Sequence, residues 1–294
     1  MNNPVQLHRR ARFVATIVAP VVFAVVARAE PAMWVIKDKD STIYLIGTVH
    51  LLKHETAWNK AKVMKAVADS TELWLEISDI DNQATVTPLI QQYGFDKKKS
   101  LSTKLNFAQN SKLARVAAQY NTPLANLEPM KPWMVALTFA VLPLQKAGYD
   151  PNAGVDLLLK AQAEKKGEKI YGFETMEQQV QFFADLPETD QIAFLEATLD
   201  DAGEGLALLD KLANAWLNGD NKTIADLLVG ELKAKEPAVY QKLLVERNIR
   251  WSEKIAEILN RSGIQLVAVG AAHVVGPDSV QAQLSKRGIK VESY

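Results

Sequence analysis

A mixed α/β fold, with a central sheet and flanking helices, is predicted by three features of the sequence. Short runs rich in β-branched and aromatic residues, bounded by glycine or polar residues, recur along the chain. Helical patterns separate them, as an α/β sheet requires. The third feature is an internal echo, Tyr44-Leu-Ile-Gly47-Thr-Val-His50 near the start and Val267-Ala-Val-Gly270-Ala-Ala-His273 near the end. In both copies an apolar strand stops at a glycine and a histidine follows three residues later. The echo is either coincidence between two ordinary strand ends or a pseudo-repeated pair of βα units that brings two imidazoles together.

In chain order, the first strand is expected at Thr42–Ile46 (TIYLI). A helix over Trp58–Ser70 leads into the second strand, Leu73–Ile77 (LWLEI). Helices over Leu105–Tyr120, Trp133–Ala147 and Val155–Lys165 precede a third strand at Lys169–Phe173 (KIYGF). The span from Glu177 to Ser262 is helical in character almost throughout, punctuated by Pro187, Gly203, Gly219 and Pro237. That makes a long helical insertion, about 177–262, before the last strand at Gln265–Val269 (QLVAV).

Ahead of these elements, residues 1–29 read as a cleavable export signal. Arg9, Arg10 and Arg12 stand without an acid, an apolar stretch runs from Phe13 to Val26, and Ala27-Arg28-Ala29 offers small residues at a processing site. The apolar stretch is short for a bilayer span. Cleavage after Ala29 would leave residues 30–294 as one α/β domain with no stable membrane span, in the periplasm or secreted. It would also leave 30 basic against 34 acidic residues, a net charge of −4 with histidine neutral. No basic stripe follows a phosphate backbone, which argues against a nucleic-acid partner. The chain has no cysteine, which excludes disulfides, thiolate nucleophiles and cysteine-based metal sites.

Ligands of open α/β sheets collect at the carboxyl ends of the strands. There the chain presents His50 beyond Gly47, Glu76 in LWLEI, Glu174 in YGFET and His273 beyond Gly270. Two imidazoles and two carboxylates form a ligand set for a divalent ion such as Mn²⁺, Co²⁺ or Zn²⁺. The glycines let the backbone turn sharply and leave room for an ion or substrate to approach. His54 follows His50 by four residues, but no glutamate completes an HExxH site, so it reads as solvated or supporting. Glu76 is either a strand-edge charge or a paired functional carboxylate, because apolar neighbours make an unpaired one costly. Asp156 opens a helix, as a partner of the helix dipole or as an orienting group for a ligand histidine. Arg247-Asn248, within ERNIRW, is either an exposed helix face or an anion-recognition element.

The ordered set YLIGTVHLL, LWLEI, Pro132-Trp133, GYDPNAGVDLLL, GFETMEQQVQFF, AWLNGD, RNIRW and VAVGAAHVVGPDSV resembles the TraB/GumN family, exported and membrane-tethered proteins related to the Tiki metalloproteases. The likeness runs from about Trp34 to the C-terminus. One departure is Gly-Phe-Glu-Thr where Leu-Glu-Thr is expected, and it keeps the glutamate. The resemblance implies a metal-dependent activity needing His50, His273 and Glu76, with Glu174, Asp156 and Arg247 near the same cleft. The resulting expectation is an exported hydrolase, specifically a peptidase acting on a peptide or protein substrate through a metal-activated water. Glu76 would serve as ligand or general base, and Arg247 would stabilise an oxyanion or grip a substrate carboxylate. The alternative is a non-catalytic periplasmic binding or accessory protein for haem, a peptide signal or a polysaccharide-assembly partner.

Overall fold

The computed structural model describes residues 30–201 and 205–294. The export signal over residues 1–29 and the helix break at Gly203 lie outside the described residues.

Six strands form one sheet in the order β4-β3-β5-β2-β1-β6. They are β1 (Met33–Lys37), β2 (Ser41–Thr48), β3 (Glu72–Ile77), β4 (Lys169–Glu174), β5 (Gly263–Gly270) and β6 (Val291–Ser293). Each of the four predicted strands lies inside one of these. Strands β2, β5, β3 and β4 run parallel, while β1 is antiparallel to both β2 and β6. The chain leaves β2, skips a position to build β3 and β4, and returns with β5 between β2 and β3. Strand β5 is buried on both faces and therefore reads as an unbroken apolar run, Leu266 to Val269. Ile43, Leu45 and Ile46 of β2 are fully buried, each worth roughly 1.5–3 kcal/mol of transfer free energy.

The helices are α1 (Ala61–Asp69), α2 (Gln83–Tyr93), α3 (Phe107–Gln119), α4 (Leu124–Leu127), α5 (Pro132–Lys146), α6 (Val155–Lys166) and α7 (Met176–Ala184). They continue with α8 (Glu188–Asp200), α9 (Gly205–Leu217), α10 (Asn221–Ile224), α11 (Glu231–Lys235), α12 (Pro237–Tyr240), α13 (Glu246–Leu259) and α14 (Val280–Lys286). Wider helical turns at Ala225–Gly230 and Gln241–Val245 link α10 to α11 and α12 to α13. The predicted helices match α1, α3, α5 and α6 to within a few residues, and the 177–262 span is helical as expected. Helix α2 escaped the pattern because it carries Pro88 and no fully buried residue.

Helices α1, α6 and α9 cover one face of the sheet, through Val63, Leu159 and Trp216 against Leu73, Leu75 and Leu266. Helices α13 and α14 cover the other, through Trp251, Ile255 and Leu284 against Leu45, Trp74 and Val267. A third cluster joins α3, α5 and α8 through Leu113, Phe139 and Leu195, so the helical insertion shares a core with residues that precede it.

Candidate active site

The Gly-x-x-His echo is a structural repeat. Strands β2 and β5 are parallel neighbours, with Gly47 opposite Val269 and Thr48 opposite Gly270. His50 and His273 leave the same edge of the sheet from adjacent strands. Glu76 is on β3, next to β5 on its other side, and Glu174 ends β4 opposite Ile77. All four predicted strand-end groups therefore meet at one carboxyl edge.

His50 is oriented from below. Its Nδ1 lies 2.7 Å from Asp156 Oδ2, and Asp156 Oδ1 accepts the Thr48 hydroxyl at 2.6 Å. Asp156 stands in the first turn of α6, near the helix dipole's positive end, and its carboxylate orients the His50 ring. Gly154, the residue before that helix, permits the arrangement, because a Cβ there would lie 2.4 Å from the His50 carbonyl oxygen. The Asp156 carboxylate outweighs burial and raises the His50 pKa to about 9. Half of the His50 side-chain surface is open, and it faces the cleft. Among the described residues His50 Nε2 has no hydrogen-bond partner.

His273 is the opposite case. It is buried, and its ring packs on Trp251 with centroids 4.4 Å apart. Its Nδ1 lies 2.6 Å from Asn248 Oδ1 and its Nε2 lies 3.1 Å from Arg247 Nη1. Arginine only donates, so Nε2 accepts and Nδ1–H donates to Asn248. Burial depresses the His273 pKa to about 3 despite the nearby Glu76, and the ring is neutral.

Arg247 and Asn248 begin α13, whose buried stripe runs Arg247, Asn248, Trp251, Ser252, Ile255, Ile258 and Leu259 at helical spacing. Arg247 is therefore not on an exposed face. Its Nε donates to both Glu174 oxygens at 3.1 and 3.0 Å, and its Nη2 donates to Glu76 Oε2 at 2.6 Å and Glu174 Oε2 at 2.8 Å. Its Nη1 donates to the Leu243 carbonyl and to His273, so all five guanidinium N–H groups are engaged. Glu174, with a side chain 3% exposed, faces Arg247, with Arg250 and Gln179 at longer range. Glu76 accepts the Gly270 N–H at 2.7 Å and the Gln179 amide at 3.0 Å. Desolvation opposes its ionisation, but His273 (charged in the acid range where Glu76 would titrate), Arg247, His50 and the Gly270 N–H hold it well below the usual carboxylate range.

Gly270 marks the point on which these groups converge. A Cβ at this position would lie 3.0 Å from Glu76 Oε1, 3.3 Å from His50 Nε2 and 3.7 Å from His273 Cδ2. His50, Glu76 and His273 thus surround one small space, while Glu174 is turned into Arg247. Among the described residues no three such groups are drawn close enough to enclose an ion as they stand. The space forms the floor of a cleft of about 380 Å³ with apolar walls, including Phe182 and Phe183 of α7 and Leu209, Leu212 and Trp216 of α9. The Trp216 indole N–H donates to the Gly47 carbonyl at 2.7 Å, which ties α9 to the first motif. His54 is exposed at the rim beside Asp150, in keeping with its solvated reading.

Sequence reading did not single out Gln179, Thr48 or Trp251, and it left Asn248 without a role of its own. Gln179 had one available signal, its place one helical turn beyond Thr175, whose hydroxyl accepts the Gln178 N–H to cap α7.

A model of the TraB/PrgY/gumN family matches residues 32–293. The uncharacterized protein YbaP of Escherichia coli (strain K12) is 22% identical over 254 residues, covering 86% of this chain and 92% of that protein. An uncharacterized protein of Treponema pallidum (strain Nichols) is 20% identical over 278 residues, covering 90% of this chain and 83% of its own length. No solved structure matches the chain.

Proposed function

The chain belongs to the TraB/PrgY/gumN family, and from that premise we propose that it is an exported metal-dependent hydrolase, specifically a peptidase. The observation that carries this reading is the convergence of His50 Nε2, Glu76 Oε1 and the His273 ring on the space beside Gly270. The donor set suits a divalent ion: one unpartnered imidazole nitrogen, one neutral imidazole whose Nε2 lone pair meets only Arg247, and one carboxylate that stays ionised. Asp156 and Asn248 support the two rings from behind, as outer partners of ligand histidines do. An ion held there supplies Lewis acidity and brings the pKa of a water from about 16 toward roughly 7.

The roles of the chain's own groups follow from their contacts. Glu76, an ionised carboxylate paired with Arg247, would serve as ligand or general base. Glu174 holds Arg247 in place and is not a ligand in this reading. Were His273 Nε2 to hold an ion, Arg247 Nη1 would be released from it and would be placed at the cleft wall to donate to a substrate carbonyl oxygen. The apolar walls select a peptide with a bulky apolar side chain beside the cleaved bond. Export rests on the leader sequence. Among the described residues no helix is long and apolar enough to cross a membrane.

A second reading, a binding or accessory protein without catalysis, is favoured by one observation. Arg247 already pairs with Glu76 and Glu174 and donates to His273, so these groups have partners without an ion. Elemental analysis of protein purified without chelator, beside the His50→Ala/His273→Ala double variant, separates the two. Stoichiometric Mn, Co or Zn in the parent alone, with hydrolysis of apolar peptides that the variant lacks, is the expected result. Failure of the parent to take up any of the three ions, with a haem-type absorption band on titration, would establish the second reading.

A further inference from the structure

The two motif histidines are equivalent in sequence but are held by different chemistry. Behind His50 stands a carboxylate, Asp156. Behind His273 stands a carboxamide, Asn248, which is 1% exposed. The Asn248 side chain is oriented by its other end. Its Nδ2 donates at 2.8 Å to the backbone carbonyl of Asp278, in the turn before α14, and a carbonyl can only accept. Asn248 Oδ1 must therefore face His273, where it can only accept, and the His273 Nδ1 must carry the proton. The Trp251 ring packs on the imidazole from one turn further along α13.

We infer that Asn248 is the positioning residue of this site: it fixes the His273 ring with Nδ1 protonated and the Nε2 lone pair toward Arg247 Nη1 at the cleft wall. The inference deepens the hydrolase reading and rests on it for the use made of that lone pair. A carboxamide suits the position because Glu76 and Glu174 already place two carboxylates around Arg247. A third would favour a protonated ring, which has no lone pair to offer. An apolar side chain would leave a buried N–H unpaired and the ring without a stop.

The test is histidine-¹⁵N NMR of the protein free of added ions, followed by calorimetric titration with Mn²⁺, Co²⁺ and Zn²⁺. The parent is expected to show one exchange-protected imidazole proton, on Nδ1 of His273. In Asn248→Leu that proton should lose its protection and metal affinity should fall roughly ten- to a hundredfold. Asn248→Asp keeps the acceptor, loses the bond to Asp278 and adds a third carboxylate, so the protected Nδ1 proton should survive while metal affinity falls as the ring is held protonated. This variant decides the matter if the leucine variant does not fold. A parent His273 protonated on Nε2, a leucine variant that keeps both protection and affinity, or an aspartate variant that loses the protected proton would each overturn the inference. A protected Nδ1 proton in a parent that binds none of the three ions would sustain it and sink the metal reading instead.

Discussion

At the scale of single residues, Gly270 shows how space, rather than backbone freedom, sets a requirement. Its φ of −50° and ψ of 141° suit any residue. What crowds a side chain is the pair of polar atoms, Glu76 Oε1 and His50 Nε2, 3.0 and 3.3 Å from where a Cβ would be. Gly270→Ala is expected to fold with little change in melting temperature yet to bind metal on the order of tenfold to a hundredfold more weakly. Calorimetry on both proteins checks this, and equal affinities would mean that the ion site lies elsewhere. A second expectation follows from Asp156, which raises the His50 pKa to about 9 and keeps that ring protonated at neutral pH without an ion. Ligation must then displace a proton, so metal affinity should rise as pH climbs toward about 9, with about one proton released per ion from His50 at pH 7. Titration in buffers of different ionisation enthalpy measures that number. A value near zero would remove His50 from the ligand set. These histidines and glutamates were legible because each follows a short apolar strand, and position at a strand end has chemical meaning. Asn248 and Gln179 were not, because an amide on a helix acquires a role only when the helix is docked.

At the scale of elements, the four parallel strands were the legible part. TIYLI, LWLEI, KIYGF and QLVAV are short runs rich in β-branched and aromatic residues, whether central or, like KIYGF in β4, at the sheet's edge. The antiparallel strands β1 and β6 were missed, β6 being three residues long and largely exposed. The helical insertion was legible as helix but not as cleft wall. One tie that sets that role is the Trp216 indole N–H on the Gly47 carbonyl, which joins α9 to β2 across 169 residues of chain, beside the Tyr149 and Lys53 contacts to Asp210. Trp216→Phe keeps most of the ring and removes the donor. It is expected to lose about 1–3 kcal/mol in urea unfolding and, with an apolar peptide substrate, to raise KM more than it lowers kcat as the wall shifts. Unchanged stability and unchanged KM would show that α9 is held without this bond.

At the scale of the whole molecule, the site draws on distant parts of the chain: β2, β3, α6, α13 and the turn after β5. Neither histidine motif nor either glutamate makes the site alone, and His50 and His273 become neighbours only when β5 inserts between β2 and β3. An ion bound there contacts the elements that hold the sheet together, so its binding free energy must appear in global unfolding rather than in the fraying of one helix. At a hundredfold excess over Kd the stabilisation is about 2.7 kcal/mol, which for a domain of this size corresponds to a rise in Tm of roughly 5–10 °C. Scanning calorimetry with and without the ion should show the main transition moving as a unit, and the His50→Ala/His273→Ala variant should show no shift. If the ion is bound by elemental analysis but the main transition stays in place, the site belongs to a part of the molecule that opens before the sheet does. The assignment of His50 and His273 as its ligands would then fail, because both are anchored in the sheet's two central parallel strands.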